Sequence, residues 1–136
     1  MRAAMQNIVL DTNIIVSAVL SPQGNPAKIL NIIEADEDFQ IYFSPEILIE
    51  YEEVLSQKRL NIVVETQNRI CEAIKTIGIL TYPSVSSMPL PDENDRVFYD
   101  TAKESGAILI TGNMKHYPKE NFIMTPAQFL SLIESR

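Results

Sequence analysis

The chain has 136 residues, about the size of one domain, and 46% of them are hydrophobic, so we expect a single self-contained domain over residues 1–136. The formal net charge of −7 argues against a broad basic surface of the kind that binds duplex DNA without sequence preference. Cys71 is the only cysteine and no run of 18 apolar residues occurs, so the sequence predicts a cytoplasmic protein with no internal disulfide and no membrane contact.

The first third of the chain alternates between strand and helix patterns. Residues 1–6 carry one arginine but lack the apolar core of a signal peptide. The apolar run at residues 8–10 predicts a buried strand, and residues 12–20 follow with helical spacing. Pro26 suits the first turn of a second helix, which extends to an acidic stop at residues 34–38. Residues 39–43 then predict a strand rich in aromatic side chains.

The middle of the chain predicts a helical hairpin. Ser44 before Pro45 and an acidic first turn is a strong helix start, and an apolar face continues to residue 55. Asn61 begins a second helix, whose apolar residues keep helical register up to Gly78. Residues 80–85 predict a short strand.

The last third returns to alternation. Residues 92–95 open a helix that stops at Gly106, and residues 107–110 and 122–124 predict two strands. A terminal helix follows at residues 126–133. This order of elements predicts an α/β fold, a three-layer sandwich with a mainly parallel central sheet.

Oxygen-bearing side chains follow two of the predicted strands. Asp11 comes directly after the first strand, and Thr111-Gly112-Asn113 follows Ile108-Leu109-Ile110. Parallel strands place their carboxyl ends at one edge of the sheet, where ligands of such folds bind. We therefore expect Asp11 and Asn113 to be neighbours.

Position alone leaves the roles of the acidic residues open. Asp11 precedes a predicted helix and Asp95 lies at the start of another, so each is either a helix cap or a ligand-binding group. Helical periodicity places Glu50 and Glu52 at opposite edges of one apolar face and does not choose between them. Asp92 is one step out in the loop and is expected to be solvated.

Several carboxylates at one edge would repel one another, and a divalent cation is their natural neutraliser. Hard oxygen ligands favour Mg²⁺ or Mn²⁺. Zinc is poorly supported, because one histidine and one cysteine cannot build its usual nitrogen and sulfur cage. We interpret His116 as a structural or surface residue.

The sequence resembles the PIN domains, particularly the bacterial and archaeal VapC-like toxins of toxin–antitoxin systems. The resemblance covers nearly the whole chain and is carried by three segments, IVLDTN at residues 8–13, SPEILIEYEEVL at 44–55, and DENDRVFYDTA at 92–102 followed by LITGN at 109–113. Each segment is weak alone, but their order and spacing are fairly specific.

The resemblance implies a Mg²⁺- or Mn²⁺-dependent ribonuclease that hydrolyses an RNA phosphodiester without a covalent enzyme intermediate. It also implies a small antitoxin partner and a homodimer. The site residues that it implies are the acids Asp11, Glu50 (rather than Glu52) and Asp95, the hydroxyl residue Thr111 and the polar neighbour Asn13. The candidate phosphate contacts are Lys58, Arg59, Arg96, Lys115 and Lys119, although we expect most of them to be solvated surface charges.

Asn113 departs from the family pattern, since many relatives have a further aspartate after the Thr-Gly step. Asn113 still offers a carbonyl oxygen to a metal, but it brings one less negative charge. Asp92 is an additional acid that could compensate. We expect weakened or single-metal catalysis.

Two other interpretations fit parts of the pattern. A haloacid-dehalogenase-like phosphatase also has an aspartate after its first strand and a threonine or serine after a later one. Asn13 speaks against it, because that family commonly has a second, proton-transferring aspartate there. The third interpretation is a non-catalytic PIN-like module that binds a protein and has lost its metal, and Asn113 is the feature in its favour.

Overall fold

The computed structural model of the chain describes residues 5–135. The prediction that residues 1–6 form no signal peptide therefore falls mostly outside the described residues. Between residues 5 and 135, none of the helices combines the length and the apolar character needed to cross a bilayer. That residues 1–136 form a single domain stays a prediction.

One parallel sheet organises the described part of the chain. Its strands are β1 (Gln6–Leu10), β2 (Phe39–Phe43), β3 (Ile79–Leu80), β4 (Ile108–Ile110) and β5 (Ile123–Met124). Their order is β3-β2-β1-β4-β5, and each neighbouring pair is parallel. The central strand is apolar throughout its second half, where Ile8, Val9 and Leu10 are fully buried. A strand covered on both faces requires this unbroken apolar run.

Six helices flank this sheet in the described residues. They are α1 (Thr12–Leu20), α2 (Asn25–Ala35), α3 (Pro45–Leu55), α4 (Val64–Ile77), α5 (Arg96–Ser105) and α6 (Pro126–Glu134). The predicted cap of α3 is confirmed, since Ser44 Oγ accepts a hydrogen bond from the Ile47 amide at 3.2 Å. The α/β architecture predicted from the sequence is also confirmed.

The strand order creates a crevice beside β1. After β1 the chain builds β2 and β3 on one side of it, and later places β4 and β5 on the other side. Ligands of open α/β sheets bind at such a switch point, outside the carboxyl ends of the strands. The Asp11 amide donates to the Ile110 carbonyl at 3.0 Å, so the ends of β1 and β4 are held side by side.

Three predicted elements differ from the structure. The helix predicted from Asn61 begins at Val64, because Asn61 has a left-handed φ of 53° that ends a 3₁₀ turn at Lys58–Leu60. The strand predicted at residues 80–85 covers only Ile79–Leu80, and Pro83 further on has no N–H to donate to a sheet. Residues 92–95 do not open α5 directly, because a 3₁₀ turn at Glu93–Asp95 precedes it.

Gly78 joins α4 to β3 where no side chain fits. A Cβ atom there would lie 2.5 Å from the Ile74 carbonyl oxygen and 2.9 Å from the Phe43 ring. We expect Gly78→Ala to lower the free energy of unfolding by about 1–3 kcal/mol through overpacking, measured by urea denaturation. Gly106→Ala is the comparison, because Gly106 has a φ of 61° but open space around it, and its strain alone costs about 1–2 kcal/mol. Wild-type stability of Gly78→Ala would contradict the tight packing.

Candidate metal centre

Asp11 lies at the centre of the crevice. It follows β1, is only 6% exposed, and accepts hydrogen bonds at Oδ2 from the Thr111 hydroxyl at 2.8 Å and the Tyr117 hydroxyl at 2.9 Å. It stands at the N-cap position of α1, but its side chain forms no capping hydrogen bond. The Asp11 carboxylate therefore lines the crevice, where Thr111 and Tyr117 orient it, and does not cap the helix.

The turn after β4 is built around the same carboxylate. Thr111 Oγ accepts from the Asn113 amide at 3.0 Å while donating to Asp11. The Gly112 amide donates to Asn13 Oδ1 at 3.0 Å, and a Cβ on Gly112 would lie 3.3 Å from that oxygen. Asn13 thus positions the turn, and Asp11 and Asn113 line one crevice, as expected from parallel strands.

Asp95 reaches the crevice from the start of α5. It occupies the N-cap position there, yet its side chain makes no capping hydrogen bond. Its Oδ2 lies 3.1 Å from His116 Nδ1, and its side chain is 14% exposed. Burial and the charge of Asp11 raise the pKa of Asp95 to about 6, although His116 opposes the rise. The carboxylates therefore share one electrostatic environment.

Glu50 approaches Asp11 from α3. The Thr12 hydroxyl donates to Glu50 Oε2, which holds the carboxylate beside the residue that follows Asp11. Burial raises the pKa of Glu50, the hydrogen bond from Thr12 opposes this, and the charge of Asp11 adds to it. Glu52 is exposed. The structure therefore brings Glu50 to Asp11, which helical periodicity alone did not predict.

The crevice has a volume of about 310 Å³. It is lined by Asp11, Thr12, Asn13, Val16, Ser17, Val54, Arg59, Leu60, Asp95, Asn113 and His116. Within residues 5–135, one set of three possible metal ligands lies close together. Its members are Asp92, Asp95 and His116, and their ligand atoms all lie within 4.8 Å of one another. Asp11 and Glu50 are outside that set, so Asp95 connects two groups of donors.

Sequence reasoning missed two tyrosines that fix the site. Tyr51 is fully buried and donates its hydroxyl to the Leu10 carbonyl at 2.5 Å, directly before Asp11. Burial and the charge of Asp11 raise the pKa of Tyr51 and Tyr117, so both hydroxyls stay protonated as donors. Tyr51 did carry a signal, because a tyrosine on the apolar face of a helix needs a partner for its hydroxyl. Tyr117 follows a 3₁₀ turn and carried none.

The candidate phosphate contacts have different positions. Arg59 lines the crevice, and within the described residues its guanidinium has no ion-pair partner. Arg96 instead holds the preceding loop, since it donates to the Ser86 carbonyl at 2.8 Å and the Met88 carbonyl at 2.7 Å. The three lysines Lys58, Lys115 and Lys119 are exposed outside the crevice lining.

Comparisons with known proteins agree with this geometry. A family model for the PIN domain matches residues 7–115. The uncharacterized protein MJ1680 of Methanocaldococcus jannaschii is 35% identical over 109 residues, which are 78% of this chain and 70% of that protein. The crystal structure of PAE2754 from Pyrobaculum aerophilum matches with a TM-score of 0.62 at 15% identity, over 97% of this chain and 91% of that one.

A further solved structure, VapBC2 from Rickettsia felis bound to a DNA fragment from their promoter, matches with a TM-score of 0.56 at 20% identity. It covers 88% of this chain and 97% of that one. Fold and site together define an α/β protein with an acidic crevice at the switch point of a parallel sheet. The chain belongs to the PIN domain family, whose members are generally nucleases. The family resemblance seen in the sequence is thereby confirmed.

Proposed function

We propose that this protein is a Mg²⁺- or Mn²⁺-dependent endoribonuclease and the toxin of a toxin–antitoxin pair. The observation that carries the proposal is the convergence of Asp11, Glu50 and Asp95 at the switch point of a PIN domain sheet. Each negative charge makes ionisation of the neighbouring carboxyl groups less favourable, and a bound cation would relieve this repulsion. Carboxylate oxygens are also the ligands that hard divalent ions prefer. The residues present therefore fit such an ion.

In this proposal, Asp11 and Asp95 are the principal ligands. The Thr111 and Tyr117 hydroxyls fix the orientation of Asp11, and Glu50, held by Thr12, orients water or contributes a further ligand. Asn113 offers a neutral oxygen at the crevice, and Asp92 is the additional acid. When bound, the ion neutralises charge on phosphate oxygens and lowers the pKa of water for attack on phosphorus.

We further propose that the protein acts on RNA in the cytoplasm, forms a homodimer and binds a small antitoxin. The fold match to VapBC2, a structure bound to a promoter DNA fragment, supports an antitoxin partner. The acidic composition suits a basic antitoxin segment.

We do not favour the phosphatase interpretation. It needs a proton-transferring group two residues after Asp11, but Asn13 uses its oxygen to hold the Gly112 amide. The non-catalytic interpretation makes a different prediction about metal. Absence of Mn²⁺ binding by the intact protein, or unchanged binding by Asp11→Asn in isothermal titration, would favour it.

Incubation of the purified protein with a labelled RNA pool tests the proposed reaction. We expect cleavage with Mn²⁺ and none after chelation with EDTA. The control is the double variant Asp11→Asn, Asp95→Asn, purified in the same way. Equal cleavage by the two proteins would reveal a contaminating nuclease and remove the support for the proposal.

Arg59 supplies a positive charge to the crevice and is expected to bind an RNA phosphate. Arg59→Ala should raise KM about 10-fold with little change in kcat, the loss expected for one charged hydrogen bond. The slope of log affinity against log salt should shrink by about 0.7. Lys58→Ala is the matched control, because Lys58 lies in the same 3₁₀ turn outside the crevice lining. Equal effects of the two changes would show a general charge effect.

A further inference from the structure

His116 is presented to the acidic residues by a turn that is fixed at both ends. It ends the 3₁₀ turn Met114–His116, and its amide donates to the Asn113 carbonyl at 3.0 Å. The next residue, Tyr117, is anchored by its hydroxyl bond to Asp11. The imidazole is 46% exposed and places Nδ1 3.1 Å from Asp95 Oδ2. This exposed histidine is therefore held at the edge of the site.

The spacing of the three donors is close to that of ligands on one ion. Nitrogen and oxygen ligands lie about 2.1 Å from a transition-metal ion, so two of them are at most about 4.2 Å apart. The ligand atoms of Asp92, Asp95 and His116 already lie within 4.8 Å of one another. His116 is 46% exposed, so its side chain can rotate toward a shared ion, while Asp92 keeps Oδ1 on the Asn94 amide and has its second carboxylate oxygen to offer. Asp11, which is 6% exposed, faces the same crevice and adds negative potential there.

We propose that His116 adds its Nδ1 as a further ligand to the divalent ion held by Asp11 and Asp95, with Asp92 beside it, and thereby makes the centre favour Mn²⁺ over Mg²⁺. The inference rests on the proposed function and deepens it. Mg²⁺ strongly prefers oxygen, whereas imidazole nitrogen suits the transition metals. A site with oxygen ligands alone, which the sequence suggested, would prefer Mn²⁺ over Mg²⁺ less strongly. A metal-bound imidazole gives its Nδ1 lone pair to the ion, so ion binding would replace the present contact between His116 Nδ1 and Asp95 Oδ2.

Pulsed electron paramagnetic resonance of bound Mn²⁺ tests the ligand directly. We expect nitrogen hyperfine coupling in the wild-type protein and its loss in His116→Ala. Isothermal titration should show a drop of about 10-fold in Mn²⁺ affinity for His116→Ala and a much smaller change for Mg²⁺. Met114→Ala, an uncharged exposed change in the same turn, should resemble the wild type.

The measurements distinguish failure of the His116 assignment from failure of the proposed function. If Mn²⁺ binds the wild-type protein without nitrogen coupling, or if His116→Ala keeps full Mn²⁺ affinity, the ligand assignment is overturned while the nuclease proposal stands. If neither Mn²⁺ nor Mg²⁺ binds the wild-type protein, both are overturned. The coupling measurement needs only the wild-type protein, so it does not depend on the folding of any variant.

Discussion

Asp11→Asn is expected to reduce Mn²⁺-dependent RNA cleavage by at least about 100-fold, as when a group that stabilises transition-state charge is removed. The change removes one negative charge from the centre of the crevice and keeps the shape of the side chain. The amide oxygen of asparagine can still accept from Thr111 and Tyr117, so the fold should persist. The measurement is the cleavage rate at saturating RNA, with circular dichroism as the check on folding.

Asp36→Asn is the matched control for this variant. Asp36 is exposed and follows α2, ahead of β2, so it lies toward the opposite edge of the sheet. Its substitution should leave the cleavage rate unchanged. Wild-type cleavage by a folded Asp11→Asn protein would remove Asp11 from the proposed centre.

Asp95→Asn is expected to abolish cleavage and, in the absence of metal, to stabilise the protein. The pKa of Asp95 is raised from an ordinary 3.8 to about 6 by burial and by Asp11. The folded state therefore holds the proton more tightly than the unfolded state does. The stability that this contributes is fully present below about pH 4 and is lost as the pH rises through about 6. Asparagine avoids the cost of an ionised group at neutral pH.

Urea denaturation in EDTA measures this effect. At about pH 7.5, Asp95→Asn should exceed the wild type by about 1–3 kcal/mol, and the gain should shrink at about pH 5. Added Mn²⁺ should stabilise the wild type and not the variant, because ligands stabilise the state that binds them. A variant less stable than the wild type near neutral pH would contradict the raised pKa.

Local patterns predicted most of the fold. The bounds of β2 and α3 followed from a five-residue aromatic run and from the Ser44-Pro45 start, because both signals lie within the element itself. The start of α4 could not be predicted in this way. Residues 61–63 have helical spacing, but Asn61 adopts the left-handed conformation that ends the preceding turn. Hydrophobic periodicity carries no information about the left-handed backbone conformation of a single residue.

The site was predicted in part. Asp11 and Asp95 stood out by position, but only tertiary contacts show that neither side chain caps its helix. His116 ends a 3₁₀ turn and Tyr117 follows it, in a segment without periodic pattern, and both contact residues far away in sequence. Such contacts depend on the assembled sheet edge, so no local signal could have identified them.

Anomalous diffraction from crystals soaked in Mn²⁺ would locate the proposed ion itself. We expect a manganese peak in the crevice, with carboxylate oxygens of both Asp11 and Asp95 within about 2.5 Å of it. No peak in the crevice, or a peak bound only by residues other than Asp11 and Asp95, would rule out the proposed metal centre.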